Sequence, residues 1–526
     1  MSAPVLSNGH NGVSAEATNL SWRNDSSLPW VVQKFGGTSV GKFAVNIAED
    51  IVRASLAHNR VAVVCSARST GKKVEGTTSR LLEIFGVLEE VNAIKDTDSL
   101  HYENLTKEYE QLVKVICEDH IQAAKAHIRD STIQSSLIEE IETECNSIIE
   151  YRSVVAQWRL EIDSRSKDRI ISFGEKLSCR FVAALLQDRG VESEYVDLAD
   201  VIHFKTPNRI DMDFYNKLSE AIKEKVLACE HRVPVITGYF GTVPGGLMDG
   251  EIGRGYTDLC AALVAVGMKA EELQVWKEVD GIFTADPTKV PTARLLQTIT
   301  PAEAAELTFY GSEVIHHLTM DQVIHAKPPI RIRIKNVKNP RGNGTIVVPE
   351  PVSPGQFLHN RTPSVPGFRK IPKRPTAVTI KDKISVINVH SNKRSISHGF
   401  FQKVFTILDK RQLSVDLIST SEVHVSMAVH SANISRADLQ SAKDELEECG
   451  EVSIIDKMAI LSLVGAEMKN MIGVAGKMFS TLGEHNVNIE MISQGASEIN
   501  ISCVIYEHEA TRAMNILHTN LFTFLE

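Results

Sequence analysis

After an apolar run at 30–32, the chain reads Lys34-Phe35-Gly36-Gly37-Thr38-Ser39-Val40. This order predicts a β-strand, then a glycine turn, then the start of a helix. Because glycine carries no Cβ, Gly36 and Gly37 leave backbone N–H groups accessible to a phosphate. The N-terminus of the helix also favours an anion, and Lys34 adds a positive charge beside it. The stretch predicts a phosphate-handling enzyme; the alternative is a glycine turn that only closes a β–α unit.

The same region also fits the P-loop pattern G-x-x-x-x-G-K, over residues 36–42. A P-loop continues with Ser or Thr, whose hydroxyl binds Mg²⁺, whereas this chain continues with Phe43. We therefore reject a P-loop and interpret Lys34, rather than Lys42, as the lysine that contacts phosphate.

The composition is that of an ordinary soluble protein, with 23% charged and 43% hydrophobic residues among 526. The net charge of −9 argues against sequence-independent binding to nucleic acid, and no apolar run approaches the ~20 residues of a membrane span. The eight cysteines include no C-x-x-C pair, which favours a cytoplasmic protein with reduced thiols and no zinc site. We expect residues 1–29 to be a disordered tail, because they lack the apolar segment of a signal peptide.

Between residues 30 and 348, apolar runs alternate with helical patterns, which predicts an α/β domain with a mostly parallel sheet. A charged section at about 93–163 has the Glu/Lys pattern of a solvated helical extension, and we find no catalytic residue in it. Residues 349–375 are rich in proline and basic residues, which predicts an interdomain linker. The predicted strands include 61–64, 169–172, 233–236 and 273–276, and the predicted helices include 174–188 and 257–268.

The C-terminal part of the chain contains an internal repeat. A helical segment that follows a glycine, and then two strand-like segments, occur twice in the same order, which predicts two small β-α-β-β modules. We assign these modules to 376–456 and 457–526 and leave open whether their strands interleave. The matching segments are 399–408 with 473–482, 414–419 with 488–493, and 423–429 with 499–505.

Three further segments carry residues suited to binding charged groups. The first is predicted as a strand end that enters a helix, with Glu175 at its mouth to bind an ammonium group or only to complement the helix dipole. The second places Arg254 between glycines, suited to a carboxylate or phosphate, and Asp258 near a helix start, where it could be a simple cap. The third, at 276–287, is an acidic loop that suits a nucleotide's ribose and metal–phosphate groups or forms an ordinary turn.

Together with residues 34–40, these segments resemble the signatures of the aspartate kinases of the amino acid kinase family. The resemblance covers nearly the whole chain from Val31 onward, and Lys-Glu-Val-Asp at 277–280 resembles the fungal members. It implies an amino acid kinase fold, in which helices sandwich a mostly parallel sheet, followed by two α+β ACT domains. It also implies transfer of the γ-phosphate of ATP to the β-carboxylate of L-aspartate, in threonine, methionine and isoleucine biosynthesis. We expect Mg²⁺ to arrive with ATP, with no dedicated metal ligands in the protein.

The resemblance also implies roles for single residues. Lys34 would stabilise the transferring phosphoryl group, and Asp258 would organise Lys34. The loop at 68–76 departs from the family's usual spacing before Thr78. The implied substrate-binding residues are Ser66, Ala67, Thr78, Glu175 and Arg254, and the implied ATP-binding residues are Lys34, Gly36, Gly37, Ser39, Asp280, Thr284, Asp286 and Lys335.

In the C-terminal repeat, the resemblance implies a pocket for an amino-acid effector. Asp416 is the natural partner for the effector's ammonium group, and the alternative is a solvent-facing acid at a strand edge. Fungal-type members imply feedback inhibition by threonine, with lysine as a further candidate, and pairing of ACT sheets across subunits implies a homo-oligomer. The matching positions are Ser397, Phe400, Phe401, Ser414, Val415, Asp416, Thr420 and Ser421.

Other functions must be weighed against this one. A family member that phosphorylates glutamate, acetylglutamate or carbamate is disfavoured by Glu175 and Arg254 in their contexts and by two ACT domains. A catalytically inactive amino-acid sensor is disfavoured by the presence of Lys34, Arg254 and Asp258. Fusion to homoserine dehydrogenase is not expected, because the G-x-G-x-x-G dinucleotide fingerprint is absent.

Overall fold

The structure is a computed structural model that describes residues 21–348 and 375–523, with gaps inside these ranges. The predicted linker at 349–375 lies, except for Pro375, outside the described residues, as do Arg254 and Ser397. The gaps are 72–75, 95, 97, 207–209, 251, 254, 310–314, 392–398, 412, 422, 432–433, 435, 469–470 and 496–498.

The N-terminal part is built on an eight-stranded sheet with the order β3-β4-β2-β1-β5-β7-β8-β6. The strands from β3 to β7 are all parallel, whereas β8 runs antiparallel to β7. The strands are β1 (Trp30–Phe35), β2 (Arg60–Cys65), β3 (Ser193–Val196), β4 (Val233–Thr237), β5 (Glu272–Lys277), β6 (Thr298–Ile299), β7 (Arg331–Asn336) and β8 (Thr345–Val347).

Helices cover both faces of this sheet, because alternate side chains of each strand point to opposite faces. Val32 and Val64 belong to an apolar core with α6 and α7, and Val61 and Val63 belong to a second core with α1 to α5. A π-helical segment, Ile47–Arg53, continues α1. The helices are α1 (Gly37–Asn46), α2 (Thr77–Ala93), α3 (Leu100–His127), α4 (Ser131–Trp158), α5 (Ser164–Asp188), α6 (Met212–Leu227), α7 (Tyr256–Gly267), α8 (Pro301–Phe309) and α9 (His317–His325).

The strand predicted at 169–172 is wrong, because these residues lie inside α5. The carboxylate of Asp163 accepts hydrogen bonds from the backbone N–H groups of Arg165 and Ser166, and this cap starts the helix at Ser164. A short apolar run cannot be distinguished by periodicity from part of a buried helix. The helix predicted at 174–188 therefore begins ten residues earlier.

The charged section at 93–163 forms a helical hairpin, α3 and α4, that is only partly solvated. Tyr109, Val113 and Ile141 are buried in the same core as α5, and the hydroxyl of Tyr109 donates to the carbonyl of Ile148 at 2.8 Å. The predicted disordered tail is also wrong for residues 21–29. The buried Asn24 side chain accepts a hydrogen bond from the N–H of Val61 at 2.7 Å.

The C-terminal part is a six-stranded antiparallel sheet with the order β10-β11-β9-β12-β14-β13. Helices α10 and α11 pack in one apolar core, and α12 and α13 pack in another. A π-helical segment, Thr519–Thr523, follows α13. The elements are β9 (Ala377–Ser391), α10 (Phe400–Lys410), β10 (Val415–Thr420), β11 (His424–His430), α11 (Arg436–Leu446), β12 (Gly450–Val464), α12 (Val474–Glu484), β13 (Met491–Ser493), β14 (Asn500–Tyr506) and α13 (Glu507–His518).

The two halves of this sheet share their long central strands, β9 and β12. The second half of β9, then α10, β10, β11, α11 and the first half of β12, form one β-α-β-β-α-β unit, which we call the first module. The second half of β12, then α12, β13, β14 and α13, form the second module, whose outer partner strand is the first half of β9. The pairing of β9 with β12 is irregular near Met458, where the modules meet. Sequence repetition could not show that the first half of β9 belongs to the second module.

The N-terminal domain and the sheet of the two modules contact each other directly. Ala377 and Val464 join the apolar core around α7, and Ala285 and Val290 join the core around α13. No helix within the described residues is both long and apolar enough to span a membrane.

Candidate active site

Two of the predicted site residues, Lys34 and Ser66, lie at the carboxyl-terminal ends of neighbouring parallel strands, together with Lys277. Lys34 lies near the end of β1, Ser66 directly follows β2, and Lys277 ends β5. Strands β2, β1 and β5 are neighbours in register, so these ends lie at the same edge of the sheet. Ligands of open parallel sheets bind at this edge.

Lys34 and Asp258 form an ion pair, with 2.7 Å between Nζ and Oδ1 and each side chain 13% exposed. Asp258 lies in the first turn of α7, but it is more than a helix cap because its carboxylate pairs with Lys34. Burial alone would raise the pKa of Asp258, but the positive charges of Lys34 and Lys277 hold it below its ordinary value. The Asp258 carboxylate is therefore ionised at neutral pH, and it fixes the direction of the Lys34 side chain.

The glycine turn places the N-terminus of α1 beside Lys34. Gly36 is the N-cap in an extended conformation, and the first N–H groups of a helix have no partner within it. A Cβ on Gly37 would lie 2.0 Å from the carbonyl oxygen of Ala67, so Gly37 is required by close backbone packing rather than by an unusual dihedral angle. The hydroxyl of Ser39 donates to Glu278 at 2.6 Å, which ties α1 to the residue after β5.

Glu175 is 1% exposed and lies in the middle of α5, not at a helix mouth as predicted. The alternative that it complements a helix dipole is therefore wrong, since that effect is confined to the first turn. Its carboxylate accepts hydrogen bonds from the N–H of Tyr239 at 2.5 Å and the hydroxyl of Thr257 at 2.8 Å. Burial raises the pKa of Glu175 to about 7, so a cationic ligand beside the carboxylate would stabilise its ionised form.

The other predicted substrate residues surround this region. The carbonyl of Ser66 accepts from the hydroxyl of Ser178 on α5 at 2.8 Å. Ala67 is buried, and a Cβ on Gly174 would lie 2.9 Å from the Ala67 methyl group. Thr78 is the second residue of α2 and is half-buried.

Two of the predicted nucleotide residues lie at the ends of β5 and β7. The carboxylate of Asp280 accepts from the side-chain amide of Asn336 at 3.1 Å. The ammonium of Lys335 lies 4.8 Å from the centre of the Trp276 ring, which in turn stacks on Phe35. Burial, followed by the charge of Arg333, lowers the pKa of Lys335.

The contacts of Thr284 and Asp286 lead away from the Lys34–Asp258 pair. The hydroxyl of Thr284 lies 2.8 Å from Nε2 of His518, on α13. The carboxylate of Asp286 accepts from the N–H and hydroxyl of Thr288 at 2.9 and 2.6 Å, which is the ordinary turn considered as the alternative. Thr284 therefore joins the N-terminal domain to the second module, whereas these hydrogen bonds of Asp286 stay within its own turn.

Sequence reasoning missed two residues near Asp258. Lys277 was used only as a mark of the fungal form, but its charge lowers the pKa of Asp258, and so does that of His316. A Cβ on Gly255, whose φ is 107°, would lie 2.8 Å from Cδ2 of His316. The position of Lys277 at the end of a strand beside β1 was the available signal; nothing in the sequence near His316 pointed to Gly255.

In the first module, the carboxylate of Asp416 pairs with Lys381, with 2.8 Å between Oδ2 and Nζ. The Asp416 side chain is 5% exposed, so the alternative of a solvent-facing acid is wrong. Lys381 lies on β9, and its ammonium is 4.6 Å from the centre of the Phe309 ring, at the end of α8. Of the other predicted effector residues, Phe400 is buried, Val415 is half-buried, and Phe401, Ser414, Thr420 and Ser421 are exposed.

The chain matches the Amino acid kinase family over residues 29–336 and the ACT domain over residues 461–521. The aspartate kinase FUB3 of Gibberella fujikuroi is 52% identical over 506 residues, which are 95% of this chain and 99% of that protein. The aspartokinase of Schizosaccharomyces pombe is 51% identical over 504 residues, which are 95% of this chain and 94% of that protein.

Solved structures show the same fold. The crystal structure of E. coli aspartokinase III in complex with aspartate and ADP (R-state) is 26% identical, with a TM-score of 0.67, and covers 94% of this chain and 99% of that chain. Its complex with lysine and aspartate (T-state) is 27% identical, with a TM-score of 0.68 and the same coverage. The predicted α/β fold, with an ACT-like domain at the C-terminal end, is confirmed. The chain belongs to the amino acid kinase family, among its aspartokinases.

Proposed function

We propose that the chain transfers the γ-phosphate of ATP to the β-carboxylate of L-aspartate and forms 4-phospho-L-aspartate, the first step toward threonine, methionine and isoleucine. The observation that carries this proposal is the largely buried Lys34–Asp258 ion pair beside the glycine turn, at the edge where parallel strands end. The fungal aspartokinases at 51–52% identity support the choice of aspartate as the acceptor.

The acceptor chemistry fits the residues at this edge. A side-chain carboxyl with a pKa near ~3.9 is ionised at neutral pH and needs no general base. The barrier comes from bringing this anion to the charged nucleotide, so positive charge and N–H donors around the γ-phosphate lower it. Lys34 supplies charge in a direction fixed by Asp258, and Lys277 adds charge at the end of the neighbouring strand.

The residues around α1 fit a bound nucleoside triphosphate. The start of α1, whose first N–H groups have no partner within the helix, lies directly after the end of β1 that carries Lys34, and the absence of a Cβ on Gly37 lets the turn pack closely on Ala67. Asp280 and Lys335 lie at the neighbouring strand ends and would hold the rest of the nucleotide. Within the described residues no group of His, Cys, Asp and Glu has a metal-binding arrangement, and we propose that Mg²⁺ arrives with ATP.

The aspartate pocket is proposed between the loop after β2, α5 and α7. Glu175 would bind the ammonium group of aspartate, and its pKa near 7 means that a cation brings it fully to the ionised form. Arg254 would bind the α-carboxylate. Ser66, Ala67 and Thr78 would shape the pocket around the side chain.

The C-terminal sheet is proposed to regulate the enzyme as a pair of ACT domains, with threonine, or lysine, as the effector. The matched ACT segment lies in the second module, and the first module has the same β-α-β-β-α order, followed by a strand that the second module takes from the first half of β9. An effector ammonium at Asp416 would have to replace Lys381, which also contacts Phe309 of the N-terminal domain. Displacement of Lys381 by the effector would therefore change its contact with Phe309 and so affect the N-terminal domain. A homo-oligomer formed through these sheets and a cytoplasmic location, which suits the eight free cysteines, complete the proposal.

Trapping the acyl phosphate with hydroxylamine tests this function. Protein, Mg-ATP and L-aspartate should give the hydroxamate, and glutamate in place of aspartate should give little. Threonine or lysine should suppress the aspartate-dependent product. ATP turnover that does not depend on aspartate, or no product at all, would favour a different acid substrate or the inactive sensor.

A further inference from the structure

A partly buried ion pair, in which the Asp119 side chain is 30% exposed, joins the loop after β2 to the helical hairpin. The Arg68 side chain is 7% exposed, and its Nη1 lies 2.5 Å from Oδ2 of Asp119 on α3. Arg68 directly follows Ala67 in the proposed aspartate pocket, whereas α3 lies in the section where the sequence showed no catalytic residue.

Asp119 supplies the negative charge for Arg68. The neighbouring His120 is fully buried, and burial lowers its pKa to about 4. Burial also lowers the pKa of His127, and the charge of Arg68 lowers it further. Both histidines are therefore neutral at neutral pH. Because the Arg68 side chain is only 7% exposed, water replaces a lost carboxylate only in part, and the loop that carries Arg68 loses an anchor when Asp119 is neutralised.

The loop that Arg68 anchors touches several parts of the proposed site. The N–H of Ser69 donates to the carbonyl of Gly37 at 3.0 Å, and a Cβ on Gly41 would lie 2.1 Å from the carbonyl oxygen of Ser69. The hydroxyl of Thr77 donates to the carbonyl of Arg68 at 2.7 Å. A shift of this loop would therefore move the aspartate pocket and the first turn of α2, while the glycine turn is also held through Ser39 and Glu278.

We propose that Asp119 is a positioning residue for the acceptor pocket. Through Arg68, it holds the loop at 66–71 between α1, α2 and α5 in the conformation that accepts aspartate. The hairpin α3–α4 is thus a support for substrate binding rather than a solvated extension. This inference rests on the proposed function for the identity of the substrate.

Asp119→Asn tests the inference, with Glu118→Gln as the matched control on the same helix, because Glu118 is exposed and its nearest cation is 4.0 Å away. We expect Asp119→Asn to raise the KM for aspartate at least about tenfold, with the KM for ATP within about twofold, because the loss falls on one pocket. Glu118→Gln should change neither value. Asp119→Glu should recover most of the affinity for aspartate.

Hydrogen–deuterium exchange of a peptide that covers 66–71 provides a readout that needs no turnover. Exchange should be faster in Asp119→Asn than in Glu118→Gln, and this result would stand even if aspartate were not the substrate. If Asp119→Asn fails to fold, Thr77→Val, which removes the hydroxyl bond to the loop, should raise the KM for aspartate selectively. Unchanged exchange, or equal changes in both KM values, would overturn the proposal.

Discussion

Two lysine–aspartate pairs of nearly equal length lie in the two halves of the molecule. Lys34 and Asp258 are 2.7 Å apart at the strand edge of the kinase domain. Lys381 and Asp416 are 2.8 Å apart between β9 and β10, with β11 lying between these strands in the sheet. Both pairs are largely buried, so distance and burial do not distinguish their roles.

The surroundings distinguish them. The pair Lys34–Asp258 lies beside a glycine turn and a further lysine, so its charges face a place where an anion can bind. The ammonium of Lys381 instead lies over the Phe309 ring of the N-terminal domain, so this pair links the C-terminal sheet to the N-terminal domain. We therefore propose that the first pair orients a positive charge for phosphoryl transfer, whereas the second is a contact that a ligand can break.

The largest effect is expected from Lys34→Ala. Removal of the ammonium should lower kcat about 10²–10³-fold and change the KM for aspartate much less, because its charge matters most in the transition state. Steady-state hydroxamate assays measure both values. A near-normal kcat would show that Lys34 does not stabilise the transferring phosphoryl group, and the proposed difference in role between the two pairs would then be wrong.

Glu175→Gln should raise the KM for aspartate by about tenfold near neutral pH, because the neutral amide cannot pair with an ammonium group. In the wild type the pKa of Glu175 is raised from 4.5 to about 7, so the ionised form increases as pH rises toward neutrality. The KM for aspartate should therefore fall as pH rises through about 7, and this dependence should vanish in Glu175→Gln.

The same shift predicts a pH dependence of folding. Because the folded, ligand-free protein holds the Glu175 proton more tightly than the unfolded chain, this contribution to stability is present below pH 4.5 and is lost as pH rises to about 7. Thermal unfolding of wild type and Glu175→Gln across this window measures the difference. Parallel curves would contradict the raised pKa.

A smaller effect is expected from Lys381→Met. Without its tethered ammonium, Asp416 should accept an effector more readily, and the inhibitor concentration for half-inhibition should fall about three- to tenfold. Lys383→Met, on the same strand and exposed, is the matched control. Weaker inhibition in Lys381→Met would show that Lys381 helps to bind the effector.

The smallest effect is expected from Lys217→Met. Lys217 and Asp213 are 2.6 Å apart, but their side chains are 57% and 69% exposed. Solvent and salt screen such a pair, so no measurable change in Tm or activity is expected. A clear loss of stability would mean that distance, rather than burial and surroundings, decides the role of these pairs.

The resemblance to aspartate kinases implied the first pair, whereas nothing in the sequence implied the second. Lys34 and Asp258 each stand beside glycine-rich turns with helices behind them, so local patterns singled out both residues but left Asp258 open as a simple helix cap. Asp416 was also singled out, but its partner Lys381 lies on a strand whose two halves belong to different modules, and no local pattern shows such interleaving. The segment around Glu175 was identified correctly, but the start of its helix was placed too late. The reason is that the apolar run at 169–172, which belongs to a buried helix, has the same pattern as a buried strand.

The most direct test of the account is phosphorus NMR of the product formed from Mg-ATP and L-aspartate by the wild type and by Lys34→Ala. We predict an acyl-phosphate signal that is lost on treatment with hydroxylamine in the wild type, and almost none in the variant at equal protein concentration. Release of inorganic phosphate without an acyl phosphate, or equal signals from both proteins, would contradict the assignment of the strand edge as the site of phosphoryl transfer.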